Sequence, residues 1–237
     1  MTAKSLLRSS SRWVAAGAGI AAASYAGAVG YAWLRYGAAG PPGRPQEQDA
    51  LLDRFMPAYD VVERHRIRVD APADVTFDAA TRMDLQQSPI VRAIFKARES
   101  IMRSRRHSEP APGSFITQMQ SIGWGVLAEV PDREIVMGAV TQPWMADVVF
   151  RPLPPAEFAA FHEPDYVKIV WTLRADPRGP GRSVFRTETR AVATSPDARA
   201  RFRRYWAFVS PGVILIRRLS LGPLKTDAER RAGGRRP

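Results

Sequence analysis

The spacing of apolar residues along this 237-residue chain changes near Gly40. Before that residue, positions 13–34 carry no charge and consist mostly of small and apolar side chains. A helix of this length, at about 1.5 Å per residue, crosses a hydrocarbon core of roughly 30 Å. Aromatic residues lie at both ends, as in the interfacial belts of spanning helices: Trp13, Tyr31, Trp33 and Tyr36. We therefore expect residues 1–36 to be a single-pass membrane anchor, with residues 13–34 in the bilayer.

A secretory signal peptide is the alternative interpretation of this stretch. Its interior is mostly alanine and glycine, which contribute little transfer free energy, and Gly37-Ala38-Ala39-Gly40 offers the small residues of a cleavage site. The apolar run exceeds the usual signal-peptide core of about 7 to 15 residues, which favours a retained anchor. Basic residues flank both ends, so the charges do not decide which side of the membrane the rest of the chain occupies.

A change in composition after the anchor indicates where the soluble part begins. Residues 41–45 contain three prolines and a glycine, which prevent a regular element. We predict a linker over residues 37–60 and one soluble domain over residues 61–226, because about 170 residues are enough for a single core. Residues 227–237 are rich in arginine and are predicted to be a disordered basic tail.

Within the domain, several segments alternate apolar and polar residues with the period of two that is typical of strands. In the first of them, His65, Ile67 and Val69 share one face and three arginines share the other. Pro131-Asp132 separates two such segments and suits a tight turn, which indicates antiparallel pairing. The later predicted strands are residues 124–130, 134–142, 147–153, 166–175 and 183–194.

Other segments place apolar residues every three or four positions, as helices do. Short helices are predicted near residues 75–80, 88–105 and 155–161. Ser195-Pro196 begins a long final helix that Pro211 should kink and whose arginines, Arg217 among them, are expected to be solvated. The predicted apolar face of this helix comprises Phe202, Trp206, Val209, Val213, Ile216 and Leu219. The order of elements predicts an α+β fold in which the final helix covers the apolar face of a curved antiparallel sheet.

This pattern resembles the START-like helix-grip superfamily, also called SRPBCC, which includes polyketide cyclase/dehydrase-like and lipid-transport proteins. Residues 65–77 resemble its first strand and first helix. Residues 187–190, 202–206 and Pro211 resemble its last strand and gripping helix. The resemblance covers about residues 63–224 and implies a curved antiparallel sheet wrapped around a long C-terminal helix. It also implies an internal cavity for a hydrophobic ligand, whereas only some members of the superfamily are enzymes.

The strand and helix periods place one set of large side chains toward the space between the sheet and the final helix. A lining of this kind suits a lipid or another hydrophobic small molecule, and a threonine hydroxyl in it suits a ligand carbonyl. A filled core needs the same residues at the same spacing, and this alternative stays open. The predicted ligand-binding residues are Trp124, Met137, Trp171, Phe185, Thr187, Phe202 and Trp206.

No motif in the sequence indicates a catalytic nucleophile, a metal site or a cofactor. The chain has no cysteine, no glycine-rich phosphate loop and no nucleophile elbow. The proline in His162-Glu163-Pro164-Asp165 breaks the ligand spacing that a helical metal site needs. We therefore predict binding without catalysis. The alternative is a cyclase- or hydratase-like enzyme in which His65, Glu188 or a threonine assists proton transfer.

The formal net charge of +12 arises from 35 lysines and arginines against 23 acidic residues. Such a field attracts anionic lipid headgroups or nucleic acid. Arginine far outnumbers lysine, however, and the basic residues are not clustered beside groove-reading elements, so nucleic acid is not expected as a partner. A basic interaction domain for anionic membrane surfaces is the second alternative function. The sequence does not indicate an oligomeric state.

Overall fold

A computed structural model of the chain describes residues 3–38, 48–84, 96 and 113–234. Six helices and six strands are formed by these residues. In chain order they are α1 (Ala3–Arg35), α2 (Ala50–Asp53), β1 (Val61–Val69), α3 (Ala73–Arg82), α4 (Phe115–Ser121), β2 (Gly125–Val130), β3 (Glu134–Thr141), β4 (Phe150–Arg151), α5 (Pro155–Ala160), β5 (Val167–Pro177), β6 (Ser183–Ala193) and α6 (Pro196–Gly234). The helix predicted over residues 88–105 lies, apart from position 96, outside the described residues.

The strands form one antiparallel sheet in the order β1-β6-β5-β3-β2, with the short strand β4 on β3. Two-residue alternation gives the sheet an inner face, which α6 approaches, and an outer face. His65, Leu173 and Thr187 are in register on the inner face. The predicted α+β architecture, an antiparallel sheet with a long C-terminal helix, is confirmed, and it is consistent with a helix-grip fold.

Two apolar clusters cover the ends of the inner face. The larger lies beneath α3, α4 and the last turns of α6, and it includes Val75, Phe77, Phe115, Ile135, Met137, Trp171, Leu173, Phe185, Leu224 and Ala228. The smaller lies beneath the first turns of α6 and contains Val61, Val167, Ala191 and Phe202. Fully burying one such large side chain contributes about 1.5–3 kcal/mol, so these clusters hold the helices onto the sheet.

The outer face is covered as well, which the sequence did not predict. Leu52, Phe55 and Met56 pack with Phe158 of α5 against apolar residues of β3 and β5. Asp49 caps α2 by accepting a hydrogen bond from the amide of Leu52 at 2.9 Å. Residues 48–60 therefore belong to the domain, and the predicted linker over residues 37–60 is too long. The prolines that suggested it end at position 45.

A buried arginine joins this outer layer to the sheet. Arg190 of β6 is 1% exposed and donates to the Glu188 carboxylate at 2.7 Å, to Asp53 of α2 at 2.6 Å and to the carbonyl of Met56 at 2.7 Å. Arg64 of β1 pairs with the second oxygen of Glu188 at 3.0 Å. Removing one partner of a buried pair costs about 3–5 kcal/mol because a charge is left without compensation. The Arg190 network is thus a structural anchor of residues 50–56.

The C-terminal end of the domain also differs from the prediction. Helix α6 continues to Gly234 through Pro211 and Pro223, Ala228 is buried, and Arg231 pairs with Asp78 of α3 at 2.8 Å. The predicted disordered tail over residues 227–237 is therefore wrong as far as residue 234. Arginine-rich composition suggested a solvated segment, but alanines at suitable spacing let the helix pack on α3.

Helix α1 lies antiparallel to the first half of α6. Arg203 donates to the carbonyl of Trp33 at 3.1 Å and stacks over its ring at 4.2 Å, while the Tyr25 hydroxyl donates to the carbonyl of Phe208. Among the described residues, the helix long and apolar enough to cross a membrane is α6, not α1. The predicted N-terminal span is therefore not supported. The interior of α1 is mostly alanine and glycine, whereas α6 contains a run of valine, isoleucine and leucine.

Glu134 of β3 makes the stability of the fold dependent on pH. It is 5% exposed and lies 3.7 Å from Arg174, while burial and then the neighbouring Asp49 raise its pKa to about 8. Between the ordinary value of 4.5 and about 8, the folded state holds a proton that the unfolded state releases, so stability falls as pH rises through this window.

We expect Glu134→Gln to reduce this fall, because a buried amide has no proton to lose. The midpoint of thermal unfolding, measured from about pH 5 to about pH 8, should drop about 7–14 °C less in the variant than in the parent. Glu129→Gln, at an exposed position of the neighbouring strand, is the matched control. Equal pH dependence in all three proteins would contradict the assignment.

Candidate ligand-binding site

Between the two apolar clusters, the inner face carries a band of polar residues from three elements. Strand β1 contributes Glu63 and His65, which lie opposite Thr189 and Thr187 of β6 in the antiparallel register. Alternation places all four side chains on the same face. Arg217 of α6 completes this set, which we call the inner polar band.

Arg217 points from α6 toward the sheet. Its guanidinium donates to the Thr187 hydroxyl at 3.0 Å and also to the Thr189 hydroxyl. It makes no ion pair with a carboxylate among the described residues. The prediction that Arg217 is solvated is wrong, because it lies seven residues, about two helical turns, before buried Leu224 and therefore on the same helical face. The threonines accept hydrogen bonds from its donors. The Glu63 carboxylate acts on its charge electrostatically but is not within ion-pair distance.

His65 and Glu63 lie beside this cation. The Nε2 atom of His65 is 3.8 Å from a carboxylate oxygen of Glu63, and it is buried without a hydrogen bond within the described part of the chain. Burial, and then the positive charges of Arg217 and Arg218, lower the pKa of His65 to about 4. Burial raises the pKa of Glu63, although the same two arginines oppose that shift. The imidazole is therefore neutral at physiological pH.

Six of the seven residues predicted to line a site fall into two separate groups, and the seventh lies between them. Trp124, Met137, Trp171 and Phe185 belong to or pack against the larger cluster, and Phe202 with Trp206 belong to the smaller one. Thr187 lies between them in the inner polar band. Trp124 stacks on Phe150 at 4.9 Å, and Trp206 lies 5.9 Å from Phe202.

These residues differ in how far they are covered. Met137, Phe185 and Phe202 are at most 2% exposed, and Trp171 is 5% exposed, as the residues of a filled core are. Trp124, Trp206 and Ile169 are only half-buried. The accessible side chains of the inner face thus lie beside the smaller cluster and at the β2 edge of the sheet, and they are only part of the predicted set.

Sequence reasoning missed Glu63, Thr189 and Arg217 as members of the site. The strand period contains the signal for the first two, since they share a face with His65 and Thr187. Helix spacing contains the signal for Arg217. Thr189 was left out of the predicted set because threonine is also a common strand residue, and no role was predicted for Glu63 or Arg217. Glu188, the other residue considered for proton transfer, lies on the outer face in the Arg190 network and is not available to this site.

Comparisons with known proteins add little beyond the fold. The sequence matches no family model and no curated protein. The structure is similar to CalU16 from Micromonospora echinospora, with 13% identity over 73% of this chain and 97% of that chain, at a TM-score of 0.24. It is also similar to the ZhuI aromatase/cyclase from Streptomyces sp. R1128, with 14% identity over 72% and 94% of the two chains, at a TM-score of 0.23. With scores this low, the function must be argued from the inner polar band itself.

The titration of His65 measures the electrostatics of the band. We expect its imidazole resonances, followed by NMR in the full chain, to give a midpoint near pH 4, with exposed His162 as the internal reference resonance. Arg217→Met should move the midpoint upward, because it removes a neighbouring positive charge. The folded state binds fewer protons than the unfolded state between about 4 and 6.5, so stability should also fall on acidification through that window. A midpoint near 6.5 in the parent would contradict this description.

Proposed function

We propose that this chain binds a lipid or another largely apolar small molecule on the inner face of its sheet, with an anionic or carbonyl oxygen of the ligand at Arg217. The observation that carries the proposal is the guanidinium of Arg217, which points toward the sheet and donates to the hydroxyls of Thr187 and Thr189. Among the described residues it forms no ion pair. The resemblance of the sequence to helix-grip proteins, which bind hydrophobic molecules in this space, agrees with it.

Electrostatics favour an anionic ligand group at this position. A cation removed from water is costly unless a counter-charge and hydrogen bonds replace its hydration. Thr187 and Thr189 supply hydrogen-bond acceptors and no charge, and Glu63 interacts with Arg217 electrostatically without forming an ion pair. A carboxylate or phosphate would supply the charge, and the planar guanidinium suits two parallel hydrogen bonds to it.

The apolar part of a ligand is accommodated by the partly covered side chains beside the band. Trp206 and Ile169 lie on the side of the smaller cluster, and Trp124 is half-buried farther off, at the β2 edge of the sheet. Aromatic side chains give a ligand a large contact area at a low cost in conformational entropy. An amphipathic molecule that places its polar group between two apolar surfaces therefore matches the order of side chains along the sheet.

An enzyme of the cyclase or hydratase type is the second candidate. It is favoured by a specific observation, the buried and unbonded Nε2 atom of His65. A neutral imidazole beside a cationic Arg217 has the arrangement needed to accept a proton from a carbon next to a carbonyl while the developing oxyanion binds the guanidinium. No other titratable group is needed for such a step.

Oleate and its uncharged counterpart, oleyl alcohol, are suitable probes of the binding proposal. We expect the full chain in detergent to bind oleate more tightly than oleyl alcohol, and Arg217→Met to weaken oleate binding about tenfold or more, because hydrogen bonds to a charged group are lost. Arg204→Met, on the exposed side of the same helix, is the matched control and should leave the affinity unchanged. Fluorescence of the half-buried tryptophans provides the readout.

Native mass spectrometry after incubation with a lipid extract separates the two candidates. Recovery of a bound molecule with its mass unchanged supports binding alone, whereas a changed mass supports catalysis. A ligand site at Arg217 would be contradicted if the chain bound neither oleate nor any component of the extract. It would also be contradicted if Arg217→Met and Arg204→Met reduced the affinity for oleate equally.

We also propose that the chain is held at a membrane by α1 and the adjoining exposed side of α6. The proposal is supported by large apolar side chains that are exposed on both helices: Ile20, Tyr31, Trp33, Leu34, Phe208, Leu215 and Leu219. Only 17% of the most apolar stretch of α6 is buried, which differs from the core helix of a soluble protein. Apolar surface of this extent on neighbouring helices is typical of membrane contact.

A charged residue introduced into this surface should release the chain. We expect the parent to stay with membranes during alkaline carbonate extraction, Ala22→Arg to shift most of it to the soluble fraction, and Leu215→Arg to shift a smaller part. Ala156→Arg, at an exposed position of α5, controls for the added charge. Complete extraction of the parent would rule out the tether.

A further inference from the structure

A second candidate binding site lies on the other side of the sheet from the inner polar band and does not depend on the proposed function. It is a groove of about 850 Å³ at the end of the β1–β6 pair. The last residues of β1, the first residues of β6 and the turn between β5 and β6 form its walls. Ten residues line it: Arg66, Ile67, Arg68, Val69, Asp70, Arg178, Arg182, Ser183, Val184 and Arg186. We call this surface the arginine groove.

Half of the lining residues are arginines, which the strand register and the turn bring together. Arg66 lies directly opposite Arg186 in the β1–β6 pairing. Arg178 and Arg182 face each other across the turn, where the amide of Arg178 donates to the carbonyl of Arg182 at 2.9 Å.

The described carboxylates near the groove neutralise only part of these charges. Asp176 pairs with Arg186, but it also pairs with Arg174 at 2.8 Å and with Arg133 at 3.7 Å. Asp70, the one acidic residue in the lining, lies 4.0 Å from the ammonium group of Lys225. Arg178 and Arg182 form no ion pair with a described carboxylate, and both are exposed. Among the five lining arginines, Arg68, Arg178 and Arg182 thus face the groove without a described carboxylate partner, and all three are exposed.

From this juxtaposition we propose that the arginine groove binds a phosphate group carrying two or more negative charges. Several guanidinium forks can each donate two hydrogen bonds to one phosphate, whereas ordinary solvated arginines are spread apart. Val184, which lies opposite Arg68 on the same face, suits the organic part to which the phosphate is attached.

Two sources of such a phosphate, a soluble compound and a lipid headgroup, are separated by two probes. Inorganic pyrophosphate is titrated into the full chain in detergent by calorimetry. In parallel, phosphatidylcholine vesicles with and without phosphatidic acid are used in flotation, and only the difference between the two vesicle types is scored.

The test variant is the double substitution Arg178→Gln and Arg182→Gln, in the exposed turn. The control is Arg54→Gln with Arg201→Gln, two exposed arginines outside the groove that change the net charge equally. We expect the groove variant to lose about tenfold or more in pyrophosphate affinity or to lose the phosphatidic-acid-dependent flotation, and the control to change less than about twofold. Thermal unfolding of both variants shows whether they are folded.

Each outcome has a defined meaning. Pyrophosphate binding that the groove variant loses supports the site with a soluble phosphate, and a loss confined to phosphatidic acid vesicles supports it with a lipid headgroup. The proposal is overturned if neither probe binds, or if the groove variant and the control variant lose the same affinity for the probes. It is also overturned if the only ligand whose binding the groove variant weakens is a single-stranded oligonucleotide. Equal loss would indicate the general positive charge of the chain, and the last result would indicate a nucleic-acid backbone.

Discussion

The alternation of β6 is the constraint on which the rest of this structure depends. Four consecutive residues of one strand, Thr187 to Arg190, send two hydroxyls to the inner face and a carboxylate with a guanidinium to the outer face. On the outside, Arg190 fixes residues 50–56 to the sheet. On the inside, Thr187 and Thr189 fix Arg217 and therefore the position of α6. A shift of register by one residue would exchange the two sets and remove both attachments.

Sequence patterns predicted the strands and the long helix well, because one face of each segment is apolar and the period is visible. They failed where a polar residue is buried by tertiary partners. Strand β3 is buried along its whole length, Glu134 included, since part of the predicted linker, residues 48–60, covers its outer face. Arg217 was assigned to solvent, but it points toward the sheet. Composition describes the ordinary environment of a residue type, whereas pairing across the fold decides the actual one.

The candidate ligand set illustrates a second limit of sequence reasoning. Periodicity places Met137, Trp171 and Phe185 on the inner face, and they lie on that face in the structure. Period alone does not say whether such a residue touches a ligand or another part of the protein, because α3 and α4, which cover these three, come from elsewhere in the chain. The accessible part of the face is instead marked by polar residues, which a search for apolar lining overlooks.

The two arginine sites obey different electrostatics. Arg217 lies between a helix and a sheet, where the surrounding dielectric is low and dissolved ions screen charge poorly. The arginine groove is open to solvent, and at physiological ionic strength charges there are screened over about 8 Å. An anion at the inner polar band should therefore be held largely independently of salt, while one in the groove needs several close contacts. That requirement is met by five guanidiniums on one short stretch of sheet and turn.

The length of α6 explains why α1 belongs to the same packed unit. At about 1.5 Å per residue its 39 residues extend roughly 58 Å, whereas the 11 residues of β5 extend only about 36 Å. The helix must overhang the sheet, and each overhang needs a partner. Helix α3 covers the C-terminal end through Asp78 and Arg231. At the other end, Tyr36 packs its ring edge against Phe202 at 5.9 Å, and the amide of Gly37 donates to the carbonyl of Asp60 at 2.8 Å. The N-terminal helix is thereby fixed to the first turns of α6, and apolar side chains of both helices remain exposed.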